Sequence, residues 1–527
     1  GDMTGAVLGT QLGNGNVTIE SSTGAAAGIG DLNVNDTVEW SANTLTLTAA
    51  NSININATMT AGGTAGLALN PATANGSDTA VAAGTVNVMP GLGRVDFTGT
   101  GNSLSINGTP YTIVTSLSQL QGIGGDLGGH YALGRDIDAG ATAGWNPDGS
   151  GGFSGFDPIG KNGIDLHFSG VFDGLGHTID GLTINRPDTD NVGLFGYLTW
   201  DSIVRNVGLR GGSTYGRNNT GALVGSSQGG LVSHAYSTGN VRGADNVGGL
   251  IGSLAHRADH VYATGDVEGS GNVGGLIGYG MNSTLRYGYA SGNVRGGYAG
   301  GLAGAFDSFS SWYSYATGDV TGTRAAGGLV GEYEHGTLWY SYATGKVAGG
   351  LTGGLVGDVD YLTVIGGYWD MDSTGQSQGC GWSVGCSGAG AGLVGLRTAD
   401  AFSQSSYGGF RFGSDWYMAE GSTRPFLMFE YATTIGNAHQ LQLVDLDLSA
   451  RYTLAGDIDM SVADGSRASG MWSSQGFNPI GAYGHDGPAA AFTGTFDGRG
   501  YVVSGLRIDR TADYVGLFGH LGSGGAV

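Results

Sequence analysis

Gly274-Gly-Leu-Ile-Gly-Tyr-Gly-Met-Asn-Ser-Thr-Leu-Arg-Tyr-Gly-Tyr-Ala-Ser-Gly-Asn-Val294 is the stretch on which the fold turns. It joins a Gly-(Gly/Ala)-Leu-(Ile/Val/Ala)-Gly block to a Tyr-(Ala/Ser)-(Thr/Ser)-Gly-(Asp/Asn/Lys)-Val block, and the pair returns every 26 or 27 residues. The leucines fall at Leu223, Leu250, Leu276, Leu302, Leu329 and Leu355, the tyrosines at Tyr236, Tyr262, Tyr289, Tyr315, Tyr342 and Tyr368. Only the last copy drifts, keeping its tyrosine alone. A unit this short cannot bury its own apolar face, so similar units must stack and share one continuous core. The glycines permit close approach of neighbouring coils. Leucines one period apart then lie above one another as an inward ladder, with parallel strands ~4.8 Å apart.

In the second block the residue after the tyrosine is small: Ala263, Ala290, Ala316 and Ala343. If these alanines point inward, alternation turns the tyrosines outward together with the residue two before each, namely His234, His260, Tyr287, Tyr313 and Tyr340. Trp312 and Trp339 join on one flank. The expected surface is an aromatic strip of Tyr287, Tyr289, Trp312, Tyr313, Tyr315, Trp339, Tyr340 and Tyr342, suited to stacking on sugar rings or on a protein partner. The alternative is that the rings only stabilise neighbouring coils. Parallel strands in coils of this length predict an all-β, three-sided β-helix, right-handed by the crossover rule.

Outside the repeat the chain has four further parts. Residues 1–110 alternate with period two, as in Leu45/Leu47 and Ile53/Ile55, with related pairs at Val17/Ile19, Leu32/Val34, Leu67/Leu69, Val86/Val88, Val95/Phe97 and Leu104/Ile106. These read as strands, and no helical spacing persists over three turns. Residues 111–190 form an opening section with one short helix at Ser116–Gln121. Residues 191–398 are the coils, 399–435 an aromatic-rich closing segment (Phe402, Tyr407, Phe410, Phe412, Trp416, Tyr417), and 436–527 a second opening section. In that copy Tyr452–Asp459, Phe477–Gly481 and Phe492–Gly500 repeat Tyr131–Asp138, Phe156–Gly160 and Phe168–Gly176, and Val515–Gly519 repeats Val192–Gly196. The short period therefore sits inside a long module, and the chain reads as a segment of a longer protein.

Composition narrows the function. The 108 glycines and 9 prolines show no collagen register. With 43 acidic and 21 basic residues, the net charge of −22 disfavours nucleic acid and anionic membrane, because no basic stripe is present to release counterions. No apolar run reaches the ~18 residues of a membrane helix, and no signal peptide opens the chain. Cys380 and Cys386 lack the second ligand pair of a zinc site, so the spacing favours a local disulfide and an oxidising compartment over two free thiols.

The Gly-Gly-Leu-Val-Gly units between Val192 and Gly395 resemble the GLUG motif of bacterial surface adhesins and some secreted proteases. The alternation from Leu45 to Ala61 resembles the repeats of filamentous-haemagglutinin-type exoproteins of two-partner secretion. The resemblance implies a secreted or surface-bound parallel β-helix of bacteria, an adhesin or biofilm-matrix protein, exported through an outer-membrane transporter. Neither the export domain of such exoproteins nor a protease domain is identifiable, and the cysteine pair departs from their cysteine-poor habit.

Catalysis needs a separate test, because parallel β-helices also host polysaccharide lyases and hydrolases. Asp173 and Asp180 with His177 between them could flank a sugar bond as paired carboxylates. The second copy keeps Asp497 but has Tyr501 and Ser504 in the other places, and Phe-Asp-Gly-x-Gly reads more readily as a turn. Asp370 and Asp372 could ligate calcium, although a dedicated loop offers more oxygens than two. Gly155–Lys161 has phosphate-loop spacing, yet Asn162 replaces the magnesium-binding hydroxyl and Ala482 follows the second copy without a lysine. Gly225-Ser-Ser-Gln-Gly229 fits a nucleophile elbow with no helix expected after it. Asn-x-Ser/Thr triplets at Asn16, Asn35, Asn56, Asn75, Asn107, Asn218 and Asn282 are read as polar strand faces. The resulting expectation is a non-enzymatic, cofactor-free adhesin or matrix segment that makes multivalent contacts with exopolysaccharide, cell-surface glycan or protein. The alternatives are a carbohydrate-active β-helix enzyme and a purely structural stalk.

Overall fold

The structure, a computed structural model, describes residues 3–21, 30–72, 85–88, 91–161, 163, 166–381, 386–388, 392–481, 491–511 and 514–527. Asn75, Asn162 and Ala482 lie outside these residues. The chain is 47% strand, and its parallel sheets stack as a β-solenoid of about 13 turns. Contacts divide it into two compact units, one of residues 1–184, 195–212 and 229–236, the other of 185–194, 213–228 and 237–527.

In the first unit the period-two pairs become three walls. Val17–Glu20, Thr44–Thr48, Gly66–Asn70 and Ser103–Ile106 pair in parallel, which sets Val17, Leu45, Leu67 and Leu104 in one column and Ile19, Leu47, Leu69 and Ile106 in the next. Leu32–Val34, Ile53–Ile55 and Val86–Asn87 build the second wall, and Val38–Trp40, Thr58–Ala61 and Arg94–Phe97 the third. Outside the core, Asn33, Asn54 and Asn87 join side-chain amide to side-chain carbonyl at 2.8 Å, and Asn56 donates to Asn35 at 2.9 Å. These asparagines act as rungs.

One expectation fails here. Residues Gly5–Asn14 form an α-helix, capped by Thr4, that buries Leu8 and Leu12. Three glycines in ten residues make a weak helix former, so the local pattern gave no sign of it. Tertiary packing supplies the stability: a Cβ on Gly5 would lie 1.9 Å from the Thr37 carbonyl oxygen, and one on Gly9 2.6 Å from that of Glu39. The glycines thus let the helix press against the Val38–Trp40 strand.

The two opening sections repeat each other in hydrogen bonding as well as in sequence. Ser116 caps the helix Leu117–Gly122, and Asn437 caps Ala438–Gln442. Gln121 exchanges two bonds with the Asp157 backbone, at 2.9 and 3.0 Å, and Gln442 does the same with Asn478 at 3.0 and 2.9 Å. The Tyr131 hydroxyl donates to the Asp126 carbonyl, that of Tyr452 to Asp447. Parallel strands follow in both, Tyr131 opposite Phe172 and Tyr452 opposite Phe496.

The second unit carries the leucine ladder. Leu223, Leu250, Leu276, Leu302, Leu329 and Leu355 are all fully buried. The first five amides each donate to the carbonyl of the leucine one coil on, at 2.8 to 3.0 Å, and that of Leu355 donates to the Gly379 carbonyl. A typical coil has four strand segments, Val267–Glu268, Asn272–Gly274, Ile277–Met281 and Thr284–Ala290. The second glycine of each block is where the next coil comes closest. A Cβ on Gly301 would meet the Gly328 carbonyl oxygen at 2.2 Å and the Ala316 methyl at 2.7 Å, and Gly275 faces Gly301 and Ala290 in the same way. The two halves of the repeat are therefore one contact. An asparagine column runs Asn191, Asn219, Asn246, Asn272 at 2.9 to 3.0 Å.

Two substitutions test this packing. Leu302→Ala removes a fully buried rung and is expected to cost about 2–5 kcal/mol in chemical denaturation. Gly301→Ala is expected to destabilise as well, since backbone rather than a flexible side chain must give way.

Candidate functional site

The strand Phe309–Ala316 shows how one coil presents its aromatic residues. Ser311, Ser314 and Ala316 are fully buried, Trp312 and Tyr313 are half-buried, and Tyr315, itself fully buried, points away from the coil's own core towards Trp416 and Glu430. Two successive outward residues break simple alternation, and the reason is backbone geometry. Tyr313 has φ 53°, and its equivalents His260, Tyr287, Tyr340 and Gly366 have φ 54°, 51°, 44° and 68°. One left-handed residue per coil bends the strand and adds an outward row.

Stacking at coil spacing turns these rows into columns. Tyr262, Tyr289, Tyr315 and Tyr342 stack with ring centroids 4.7, 5.0 and 5.0 Å apart and planes within 6° of parallel. Beside them His260, Tyr287, Tyr313 and Tyr340 stack at 4.6, 5.0 and 5.7 Å. On the flank the Arg286 guanidinium lies 4.8 Å from the Trp312 ring, and Trp312 stacks on Trp339 at 6.3 Å.

The eight aromatic residues do not make one open strip. Tyr289, Tyr315 and Tyr342 are buried, as is Tyr368, while Tyr287, Tyr313, Tyr340, Trp312 and Trp339 are half-buried. The expectation of exposed inner tyrosines is corrected by the cover they receive from Tyr407, Phe410, Trp416, Met418, Phe426 and Leu427. Residues of the 399–435 closing segment thus run as a strap over the tyrosine face.

Five tyrosine hydroxyls find different partners on that strap. Tyr287 donates to Asp415 at 2.9 Å, Tyr342 to the Pro425 carbonyl at 2.6 Å and Tyr368 to the Gly408 carbonyl at 2.7 Å. Tyr313 accepts from Arg411 at 3.3 Å. The Tyr315 hydroxyl sits 2.9 and 3.0 Å from the two Glu430 oxygens, and His439 Nδ1 lies 2.7 Å from the second of these. Burial first, and then the Glu430 carboxylate, push the Tyr315 phenol far above its ordinary range. Burial does the same to Tyr342. A buried ion pair between Arg424 and Asp370 fastens the strap at one end, where Arg424 also donates to the Gly470 and Ala468 carbonyls.

The remaining sequence candidates have structural duties. Asp370 accepts from the Asp372 and Ser373 amides and from Thr398, besides its pairing with Arg424. Asp372 pairs with Arg397. Asp173 is fully buried and accepts from the Leu175 amide, Asn206 and Arg205. His177, also fully buried, faces the Val95 carbonyl at 2.8 Å and Asp136 at 3.3 Å, and Asp180 holds Arg210. The Phe-Asp-Gly-x-Gly turn is the shared element, since Asp497 likewise accepts from the Arg499 amide. Leu175 and His177 pack against the coil of Val95, whereas Arg499 and Tyr501 face solvent in the second copy. That contrast explains the substitutions.

Lys161 pairs with Asp157 instead of cradling a phosphate, and Ser226 lies in a strand followed by another strand. Cys380 and Cys386 form a disulfide. Among the described residues Asp307, Glu334 and His335 bring potential metal-ligating atoms within 4.8 Å of one another, the first two half-buried and His335 exposed.

Sequence reasoning found the tyrosines and the aromatic richness of 402–417. It missed Arg411, Asp415, Arg424, Glu430 and His439, which occur once and carry no period. Their only signal is that charged residues are sparse in this chain, yet Asp400, Arg411, Asp415, Glu420, Arg424 and Glu430 all fall within the aromatic-rich 399–435.

No family model matches the chain. Halomucin of Haloquadratum walsbyi is 42% identical over 155 residues, which is 28% of this chain and 2% of that protein. A "Putative Gly-rich membrane protein" of Evansella cellulosilytica is 38% identical over 104 residues, 19% of this chain and 11% of that one. The chain thus spans a small part of these relatives' lengths. A crystal structure of a "putative immunoglobulin A1 protease" from Bacteroides ovatus aligns with 17% identity and a TM-score of 0.38, over 61% of this chain and 93% of that one. No described helix is long and apolar enough to cross a membrane.

Trp416→Ala opens the cover and is expected to cost about 3–5 kcal/mol in chemical denaturation. Alkali gives a second check. Phenols held above the ordinary tyrosine value of about 10 favour the folded state fully below pH 10, and that support is lost as pH rises towards their folded values. In a near-ultraviolet titration Tyr315 and Tyr342 are expected to stay silent above pH 10 until the protein unfolds, and Trp416→Ala to bring their ionisation down.

Proposed function

We propose that this chain is a segment of an extended surface or secreted β-solenoid that adheres, or builds matrix, through repeated weak contacts. The observation that carries the reading is repetition of the outer surface. Arg257, Thr284, Ser310, Thr337 and Thr363 stand in register on successive coils, beside Arg286, Trp312 and Trp339. A surface of this kind offers related contacts on successive coils, so affinity accumulates by avidity. Half-buried indoles flanked by hydroxyls suit sugar rings of an exopolysaccharide or cell-surface glycan. The names of the two curated relatives, halomucin and a Gly-rich membrane protein, agree with a surface or secreted location.

In this reading the inner tyrosines serve cohesion and the flanking tryptophan row serves contact. The chain needs no cofactor and catalyses no reaction. Its bacterial haemagglutinin-type character and export through an outer-membrane transporter belong to the same proposal.

The test is a glycan array and a cell-binding assay with the whole chain. Replacing Trp312 and Trp339 with alanine is expected to lower capture by about tenfold, as loss of two stacking residues implies, with little change in melting temperature. Capture that survives the double substitution would count against this surface. Depolymerisation of any polysaccharide in the panel would count against a non-enzymatic role.

A further inference from the structure

Asp307, Glu334 and His335 come together where the repeat changes its outward residues. Phe306 pairs with Tyr333 and Tyr333 with Val359, so the residues that follow them, Asp307, Glu334 and Asp360, stand side by side on three successive coils. On the two coils before, the same position holds Ala255 and Met281. Phe306 and Tyr333 are fully buried, and alternation turns Asp307 and Glu334 outward. The next position holds Ser308, His335 and Tyr361 on these three coils, which adds one imidazole to the carboxylates.

Carboxylates directly opposite each other on neighbouring strands repel. Among the described residues no lysine or arginine lies within ion-pair distance of Asp307 or Glu334. His335 is the basic group at hand, and its Nδ1 is 3.7 Å from Asp307 Oδ1, beyond hydrogen-bond reach. The Ser308 hydroxyl holds that same oxygen at 3.0 Å, and the His335 ring stacks on Tyr361 with centroids 5.4 Å apart and planes 22° from parallel. Two of the three side chains are thus oriented by neighbours. One ligand atom from each residue lies within 4.8 Å of the other two. Zinc bonds of about 2.0–2.2 Å to nitrogen and oxygen set the ligand atoms of one tetrahedral ion about 3.4 Å apart. Rotation about the χ bonds of these partly exposed side chains covers the difference.

We propose that Asp307, Glu334 and His335 form a binding site for a divalent transition-metal ion of the zinc type. The chemistry of the donors selects the ion. An imidazole with two carboxylates suits zinc, whereas calcium takes about six to eight oxygens. The ion tethers Asp307 on one coil to Glu334 and His335 on the next and offsets the repulsion between the two carboxylates, while water takes the position left open. Asp360 extends the negative field towards it from a third coil. The backbone bonds of the leucine ladder hold these coils together without the ion. Its contribution is added stability, a latch across two coils on the outer surface.

Zinc chloride is the probe, titrated calorimetrically into the whole chain after treatment with a chelator. The expected result is one tightly held ion per chain that excess Ca²⁺ does not displace, together with a zinc-dependent rise in melting temperature. His335→Ala and Glu334→Gln are each expected to weaken binding by at least about tenfold, since even the loss of an outer partner of a metal ligand costs that much. His256→Ala, on an exposed histidine three coils away in the same column, is expected to leave it unchanged. Because His335 is exposed, its alanine variant is expected to melt with the parent when metal is absent, which separates loss of the ligand from loss of the fold. Co²⁺ in place of zinc gives a second readout, a visible absorption band that changes when the imidazole is removed. No stoichiometric binding, an affinity unchanged in His335→Ala, or displacement by Ca²⁺ overturns the proposal.

Discussion

In-register stacking of parallel coils is the constraint from which the rest of this structure follows. Once Leu250 bonds to Leu276, Leu276 to Leu302 and so on through Leu355, every position of the repeat lies above its equivalent. Each side chain then has its own kind for a neighbour at strand spacing. Leucine tolerates this by filling the lumen, asparagine by passing a hydrogen bond from rung to rung, and tyrosine by offset stacking. Like charges do not tolerate it well. Glu332 stands opposite Asp358, and burial, with the nearby Glu334 and Asp358, raises its carboxyl above the ordinary range. Repetition makes a column good or bad as a whole.

A tyrosine column also creates a need that repetition cannot meet. Its rings are apolar and its hydroxyls require partners once covered. The strap solves this with residues that have no period: a carboxylate for Tyr315, another for Tyr287, a guanidinium for Tyr313, backbone carbonyls for Tyr342 and Tyr368. A uniform surface is thereby divided into distinct addresses.

Legibility followed the same division. Pairs such as Leu45/Leu47 and Ile53/Ile55 announced their strands, and the 26- or 27-residue period announced the ladder, because both depend on neighbours close in sequence or repeated along it. The copied opening section was visible as sequence, and Gln121 and Gln442 carry out the same bonds in both copies. The Gly5–Asn14 helix was not visible, since its formation rests on Leu8 and Leu12 finding a strand to cover. Nor was the left-handed residue at Tyr287, Tyr313 and Tyr340, which no steric rule assigns to tyrosine. Asp173, His177 and Asp180 resembled a catalytic group only until Arg205, Val95 and Arg210 took up their polar atoms.

The sequence by itself determined the stack: glycine where coils must touch, leucine where they share a core, tyrosine turned outward before each inward alanine. These are local and periodic requirements, and a period can be read from one chain. Which outer columns meet solvent was decided only by tertiary structure. That outcome depends on where a non-repeating segment comes to rest, and contacts such as Tyr315 with Glu430 join residues 115 positions apart that share no pattern.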